Sequence, residues 1–170
     1  MALTVEDGTG KTNAESYLSV SDADTYHSSF GNTSWSALTT ANKEMALRKA
    51  TRYLDNRFRA RWVGSRSNRD QALDWPRYGA IDLDGYLIDY NMLPEDLKRA
   101  TAEAALRSSQ GTDLESDVTA DNSGVVESSS FQAGPVSISE TFSAKTSDTT
   151  YTVIDRLVGS LVQDNAVGRG

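Results

Sequence analysis

Few residues in this 170-residue chain have the types and spacing that catalysis or ligand binding needs. There is no cysteine, which excludes a thiol nucleophile and a thiolate metal site, and the single histidine, His27, argues against a zinc site or a Ser-His-Asp triad. Gly8-Thr-Gly10-Lys11-Thr12 ends like a phosphate-binding P-loop, but the full pattern requires glycine at position 5, which is valine. We interpret this segment as a flexible N-terminal turn.

A second candidate, Asp82-Leu83-Asp84-Gly85, resembles the start of a calcium-binding loop. The oxygen ligands at the later loop positions do not follow in register. Asp-Gly between two short apolar runs instead predicts a β-hairpin with a type I′ turn over residues 80–90. We therefore predict a non-enzymatic protein with no catalytic residue, no metal site and no cofactor.

The charge of the chain is unevenly distributed. The net charge is −7, yet residues 42–77 carry ten basic and four acidic residues, a net of +6, so the remainder carries −13. Arginine beside tryptophan is typical of phosphate contact, of protein–protein interfaces and of solvated faces, and all three remain open here. The predicted interface residues in this window are Arg57, Arg59, Arg61, Trp62, Arg66, Arg69, Trp75 and Arg77.

The hydrophobic periodicity predicts four helices. A short helix runs from Asp22 to about Ser29 behind a capping box at Ser21 and Asp24, and a third helix runs from Pro94 to about Arg107. A C-terminal helix covers the apolar residues of 153–162. The longest helix spans residues 38–58, with an apolar face made of Leu38, Ala41, Met45, Ala50, Tyr53, Leu54 and Phe58.

Residues 108–150 differ in composition from the rest, with 17 Ser or Thr among 43 residues and one basic residue. The alternating pattern after Gly134-Pro135 predicts an extended β arm that a neighbouring molecule supports. Further interface residues are predicted in the arm and in the C-terminal tail: Val125, Val126, Phe131, Val136, Ile138, Phe142, Val167 and Arg169.

These elements predict a mainly α fold, a small bundle of three to four helices with a short β-hairpin and an extended β arm. Residues 1–107 form the helical body, 108–150 the arm, and 151–170 the C-terminal helix and tail. No apolar run approaches the ~18 residues of a membrane span, so we expect no membrane contact. The N-terminus lacks the basic and apolar regions of a signal peptide, and we expect a cytosolic protein.

Several motifs resemble a family of tailed-bacteriophage proteins over nearly the whole chain. The most specific is Gln71-Ala-Leu-Asp-Trp75-Pro-Arg77, preceded by Trp62-Val-Gly-Ser-Arg66. The N-terminal Val5-Glu-Asp-Gly-Thr-Gly10 and the Ile154-Asp-Arg-Leu-Val-Gly-Ser-Leu161 helix fit as well. The chain thus resembles the head–tail connector, or adaptor, proteins, which are often labelled DnaT-like single-stranded DNA-binding proteins.

The resemblance implies a structural virion protein, assembled in the host cytoplasm, that forms a homo-oligomeric ring of about twelve copies. The ring would bind the portal and a stopper or tail protein, complete the head, and pass packaged DNA without binding it specifically. The alternative takes the DNA-binding label literally, and it requires stacking platforms and a basic groove that only residues 42–77 supply. Because the rest of the chain repels DNA, the sequence favours the connector.

Overall fold

A computed structural model describes residues 2–115, 125–132, 137–143 and 151–163. The chain divides into two compact units, one made of Met1–Leu114 with Tyr151–Gly170 and the other of Glu115–Thr150. The fold is mainly α-helical with a small antiparallel hairpin, which confirms the predicted fold class.

The first unit is built on three packed helices. Helix α3 packs along α4, and α4 packs against α5. Alanines dominate the buried face of α4, and their small side chains allow the neighbouring helices to approach closely. The helices are α1 (Val20–Ser29), α2 (Thr33–Ser36), α3 (Thr40–Phe58), α4 (Glu95–Ser109) and α5 (Thr152–Val158), which a 3-10 turn (Gly159–Leu161) extends.

The buried face of α3 differs from the predicted one in its first half. Leu47 and Leu54 are fully buried as helical period requires, but the predicted Met45 is 53% exposed and Ala41 is also exposed. The reason is Lys43, which lies in the core-facing position with its ammonium group 2.8 Å from a carboxylate oxygen of Asp24. A buried cation satisfied by a partner from another helix has no signature in hydrophobic periodicity.

Helix α1 begins two residues earlier than predicted. Ser19, not Ser21, is its N-cap, and the Ser19 hydroxyl accepts a hydrogen bond of 3.0 Å from the Asp22 backbone. Asp24 takes no part in the cap, because its carboxylate binds Lys43 and accepts a hydrogen bond of 2.7 Å from the indole nitrogen of Trp35. Trp35 is buried on α2, a short helix that the sequence analysis did not predict.

The segment that joins α3 to α4 contains two short β features. In the first, strands β1 (Ser65–Arg66) and β2 (Arg77–Tyr78) pair antiparallel, and the loop between them is anchored in the core. The predicted hairpin over 80–90 forms a turn with a single bridge between Ile81 and Leu87. The type I′ prediction is wrong: among the described residues only glycines have positive φ, and the Asp82 carboxylate shapes the turn by accepting from Asp84 N and Tyr86 N.

The N-terminal segment is fixed by the buried carboxylate of Glu6. Its Oε1 atom accepts hydrogen bonds from the backbone N–H groups of Asp7, Gly8 and Gly10 at 2.9–3.1 Å, and Oε2 accepts from Lys11 N at 2.8 Å. Gly8 and Gly10 have φ of +99° and +74°, which turns these N–H groups inward. The P-loop-like motif is therefore a turn, as predicted, but an ordered one whose anion cradle is filled by the protein itself.

This Glu6 loop (residues 6–11) supports two other loops. A Cβ at Gly8 would overlap the backbone oxygen of Asn91, and one at Gly10 would lie 3.3 Å from Asn68. The carbonyl of Lys11 accepts from Ala72 N at 2.8 Å. The Glu6 loop thus sets the positions of both the arginine-rich loop, residues 59–77, and the segment that leads into α4.

A second polar cluster joins the N-terminal segment, α3 and the loop before β2. The hydroxyl of Tyr17 donates to Asp55 and accepts from the backbone N–H groups of Asp74 and Trp75 at 3.1 and 3.2 Å. Burial, and next the charge of nearby Asp74, raise the pKa of Asp55 to about 7. Arg59 approaches Asp74 only at 3.8 Å, so this cation neutralises the acidic pair incompletely.

The second unit is the predicted β arm. Strand β3 (Val125–Gln132) pairs antiparallel with β4 (Ser137–Ser143), and Phe131 lies opposite Ile138 in the register. An irregularity between Val126 and Ser128 shifts the register by one residue.

We expect Glu6→Ala to destabilise the protein by about 3 kcal/mol, because it removes the buried carboxylate that accepts from four backbone N–H groups, those of Gly8 and Gly10 buried themselves. Urea unfolding measures the change. Asp70→Ala removes an exposed carboxylate and should stay within about 0.5 kcal/mol of the natural protein. Equal unfolding midpoints for the two variants would show that the Glu6 loop is not a stabilising element.

We also expect Asp55→Asn to gain stability relative to the natural protein as pH rises. The pKa of Asp55 is raised on folding, so its contribution is fully present near pH 4 and is lost as pH rises to about 7. Asparagine keeps an acceptor for Tyr17 but carries no charge. Urea unfolding at pH 5 and pH 8 should therefore show the variant ahead at pH 8 only; a constant difference would contradict a raised pKa.

Candidate nucleic-acid interface

Trp62 and Trp75, both predicted above as interface residues, lie in the core. They are 4% and 0% exposed, and their rings meet edge to face at 5.9 Å between centroids. Phe58 at the end of α3 extends the stack, with its ring 5.4 Å from Trp62. Neither indole is available at the surface for a partner or for a nucleic-acid base.

Three of the predicted arginines have structural partners within the chain. Buried Arg77 donates to the carbonyl oxygens of Val63, Gly64 and Asp74 at 2.6–3.1 Å, which offsets the burial that lowers its pKa. Half-buried Arg66 donates to the carbonyl of Gln71. Arg57 forms an ion pair of 3.2 Å with Asp155 on α5.

The other three arginines are more accessible. Arg69 is exposed, and among the described residues it has no ion-pair partner. Arg59 is exposed, and within the part of the chain that the structure describes its side chain makes a single ion pair, the 3.8 Å contact with Asp74. Arg61 is half-buried, with its guanidinium 5.7 Å from the centroid of the Phe58 ring. The arginine cluster of the sequence thus divides into a structural half and an accessible half.

Exposed tyrosines lie beside this loop, and the sequence analysis did not single them out. Tyr78 and Tyr90 are 67% and 60% exposed, with ring centroids 6.4 Å apart. Tyr78 is paired in register with Ser65, and the Ser67 hydroxyl donates to the carbonyl of Tyr90 at 2.9 Å. Arg66 pairs with buried Arg77 and so lies on the other face of this ribbon. We call Tyr78, Tyr90 and the exposed Arg69, two residues after Ser67, the tyrosine–arginine surface.

This surface offers two chemistries side by side. Exposed aromatic rings stack on nucleic-acid bases, and arginine contacts phosphate. Aspartates limit the attraction, since residues 78–92 contain Asp82, Asp84 and Asp89 and no basic residue. A signal was present in the sequence: tyrosines on both sides of a turn, next to an arginine-rich loop.

His27 is a core residue rather than a site. It is 1% exposed, its ring lies 4.6 Å from that of Trp35, and burial lowers its pKa. Within the described ranges, no group of three histidine or acidic side chains is placed to hold a metal ion. The described helices are all too short or too polar to cross a membrane.

The remaining predicted interface residues are placed only in part. Val125, Val126, Phe131, Ile138 and Phe142 lie on β3 and β4, where only the backbone pairing is described. Val136, Val167 and Arg169 lie outside the described residues.

A family model matches residues 1–170, the whole chain, and its description is "Putative DnaT-like ssDNA binding protein". Neither a search of curated proteins nor a search of solved structures gave a match. The finding contradicts the expected connector role and the virion, head-completion and portal-binding character that went with it, and it supports the alternative. The predicted homo-oligomeric ring, the stopper or tail partner and the location stay predictions. The chain belongs to the family of DnaT-like ssDNA-binding proteins.

Proposed function

We propose that the protein binds single-stranded DNA without sequence preference through the tyrosine–arginine surface. The observation that carries the proposal is the exposed ring pair of Tyr78 and Tyr90, which a hydrogen bond from Ser67 joins to the loop that carries Arg69. The family description supports it, since it names single-stranded DNA as the ligand. The function is binding alone and needs no reaction.

Exposed rings favour a single strand over a duplex. In a duplex the faces of the bases are occupied by stacking, whereas an unpaired strand offers them to aromatic side chains. Stacking tolerates every base, because every base has a π-face, and nothing in this surface requires a specific sequence.

The charge distribution sets the strength of binding. Arg69 supplies the local attraction, while Asp89 lies directly before Tyr90 and the chain as a whole carries −7. We therefore expect the micromolar or weaker affinity of non-specific complexes near physiological salt. A nanomolar complex that resists salt would contradict this mode of binding.

The double variant Tyr78→Ala/Tyr90→Ala should weaken binding of a fluorescent oligo-dT by about thirtyfold or more, since each of the two stacked bases contributes roughly 1–3 kcal/mol. Fluorescence anisotropy measures the affinity. Both rings are exposed, so the variant should keep the helical circular-dichroism spectrum of the natural protein.

Phe30→Ala is the matched control for the tyrosines. Phe30 is 66% exposed at the end of α1 and lies outside the tyrosine–arginine surface. Its affinity for oligo-dT should equal that of the natural protein. If Phe30→Ala and the double variant bind equally well, the tyrosines do not contact DNA.

Arg69→Ala should lower the salt dependence of binding. Each phosphate contact on a single strand contributes about 0.7 to the slope of log affinity against log salt, so we expect a loss of about that size. Arg99→Ala removes an exposed arginine paired with Asp96 on α4 and should leave the slope unchanged. Equal slopes for both variants would exclude a phosphate contact at Arg69.

A further inference from the structure

Exposed apolar side chains are concentrated in one short segment. Of the ten large hydrophobic side chains that are exposed among the described residues, seven lie within residues 78–92. Tyr78 and Tyr90 belong to the tyrosine–arginine surface. Four others surround the turn and form what we call the tip patch: Ile81, Leu83, Tyr86 and Leu87, which are 52–78% exposed.

The tip patch is unsuited to DNA. Three of its four side chains are aliphatic and cannot stack on bases, and Asp82 and Asp84 lie within it. At roughly 200 Å² per side chain, the four groups of the tip patch present on the order of 500 Å². This lies at the upper end of the ~300–600 Å² of the largest apolar patch on a typical monomer, a patch that often has a binding function.

A complementary groove lies elsewhere on the same unit. It has a volume of about 180 Å³ and runs between the first half of α3 and the end of α4. Leu38, Met45 and Ala46 give it an apolar lining, and Lys49 lies at its edge. Met45 is 53% exposed, and its flexible thioether side chain adapts to an incoming group.

The two surfaces are complementary in charge. The segment from 78 to 92 carries three aspartates and no basic residue, whereas α3 belongs to the basic window of +6. A contact between two tip patches would bring six aspartates together, which is unfavourable. A contact between the tip patch and the groove brings Asp84 toward Lys49.

We propose that the tip patch docks on a second copy of this chain, with Leu83 entering the Leu38–Met45–Ala46 groove and Asp84 facing Lys49. Leu83 lies at the turn and is 78% exposed, the largest exposed fraction among the large hydrophobic side chains described. Because the two surfaces of the contact differ, a pair of copies keeps one free patch on one copy and one free groove on the other. Association therefore continues beyond the dimer.

Sedimentation velocity of the DNA-free protein over a roughly hundredfold concentration range tests the contact. The natural protein should form species larger than a dimer at low salt. Leu83→Asp disables the patch and Met45→Asp disables the groove, and each variant alone should remain monomeric. Mixed in equal amounts, they should form a dimer and nothing larger, since one working patch meets one working groove.

A charge exchange tests the ion pair. Asp84→Lys and Lys49→Glu should each weaken association, and the two together in one chain should restore it. Val153→Asp, which alters an exposed apolar side chain on α5, should assemble like the natural protein. These assays contain no DNA, so their outcome is independent of the proposed function.

Three outcomes would overturn the proposal: a natural protein that stays monomeric at every concentration, a Met45→Asp variant that assembles normally, or a mixture that grows beyond the dimer. Loss of assembly in Leu83→Asp with normal assembly in Met45→Asp would indicate contact between tip patches instead. Circular dichroism confirms that each variant is folded before it is scored.

Discussion

The buried carboxylate of Glu6 is the interaction on which the candidate site depends. Four backbone N–H groups converge on it, and an N–H group left without an acceptor in a closed loop costs about 1–3 kcal/mol. The loop closed in this way touches Asn68 on one side and Asn91 on the other. These two residues belong to the loops that carry Arg69 and Tyr90. An internal anion thus organises the surface for which we propose binding of an external anion, although Glu6 is too deeply buried to meet that ligand.

The aromatic residues divide by chemistry in a way that explains the surface. Trp62 and Trp75 fill the core beneath the arginine-rich loop, where their large area stabilises it. Tyr78 and Tyr90 remain outside, since a phenol hydroxyl is hydrated at little cost while the ring face stays open. The arginines divide likewise: Arg77 holds three carbonyl oxygens of the loop, and Arg69 is left for a ligand. Buried groups hold the loop rigid, and rigidity lowers the entropic cost of binding at its rim.

Local sequence signals predicted the helices and the β arm well, because periodicity and alternation are properties of a single segment. They failed where a residue's role depends on a distant partner. Lys43 occupies a core position because Asp24 from α1 neutralises its charge. Asp24 is available for this ion pair because the N-cap of α1 is Ser19 and not Ser21. The same dependence on distant partners explains why the sequence predicted the arginines of the candidate site but not its tyrosines. The arginine cluster is visible in the sequence, but its tyrosines come from a loop that the Glu6 contacts bring alongside.

The connector interpretation failed through an argument about total charge. A net charge of −13 outside the basic window was taken to repel DNA, yet exposed charges more than about 8 Å apart are largely screened at physiological salt. What a bound strand experiences is the local arrangement of charge. Exposed tyrosines lie at the base of the 78–92 segment, joined to the loop that carries Arg69, and aspartates surround the aliphatic side chains at its turn. Base stacking and phosphate contact suit the first end, and contact with a basic apolar protein surface suits the second. Because the two ends differ in chemistry, the two ligands that we propose would not compete for the same side chains.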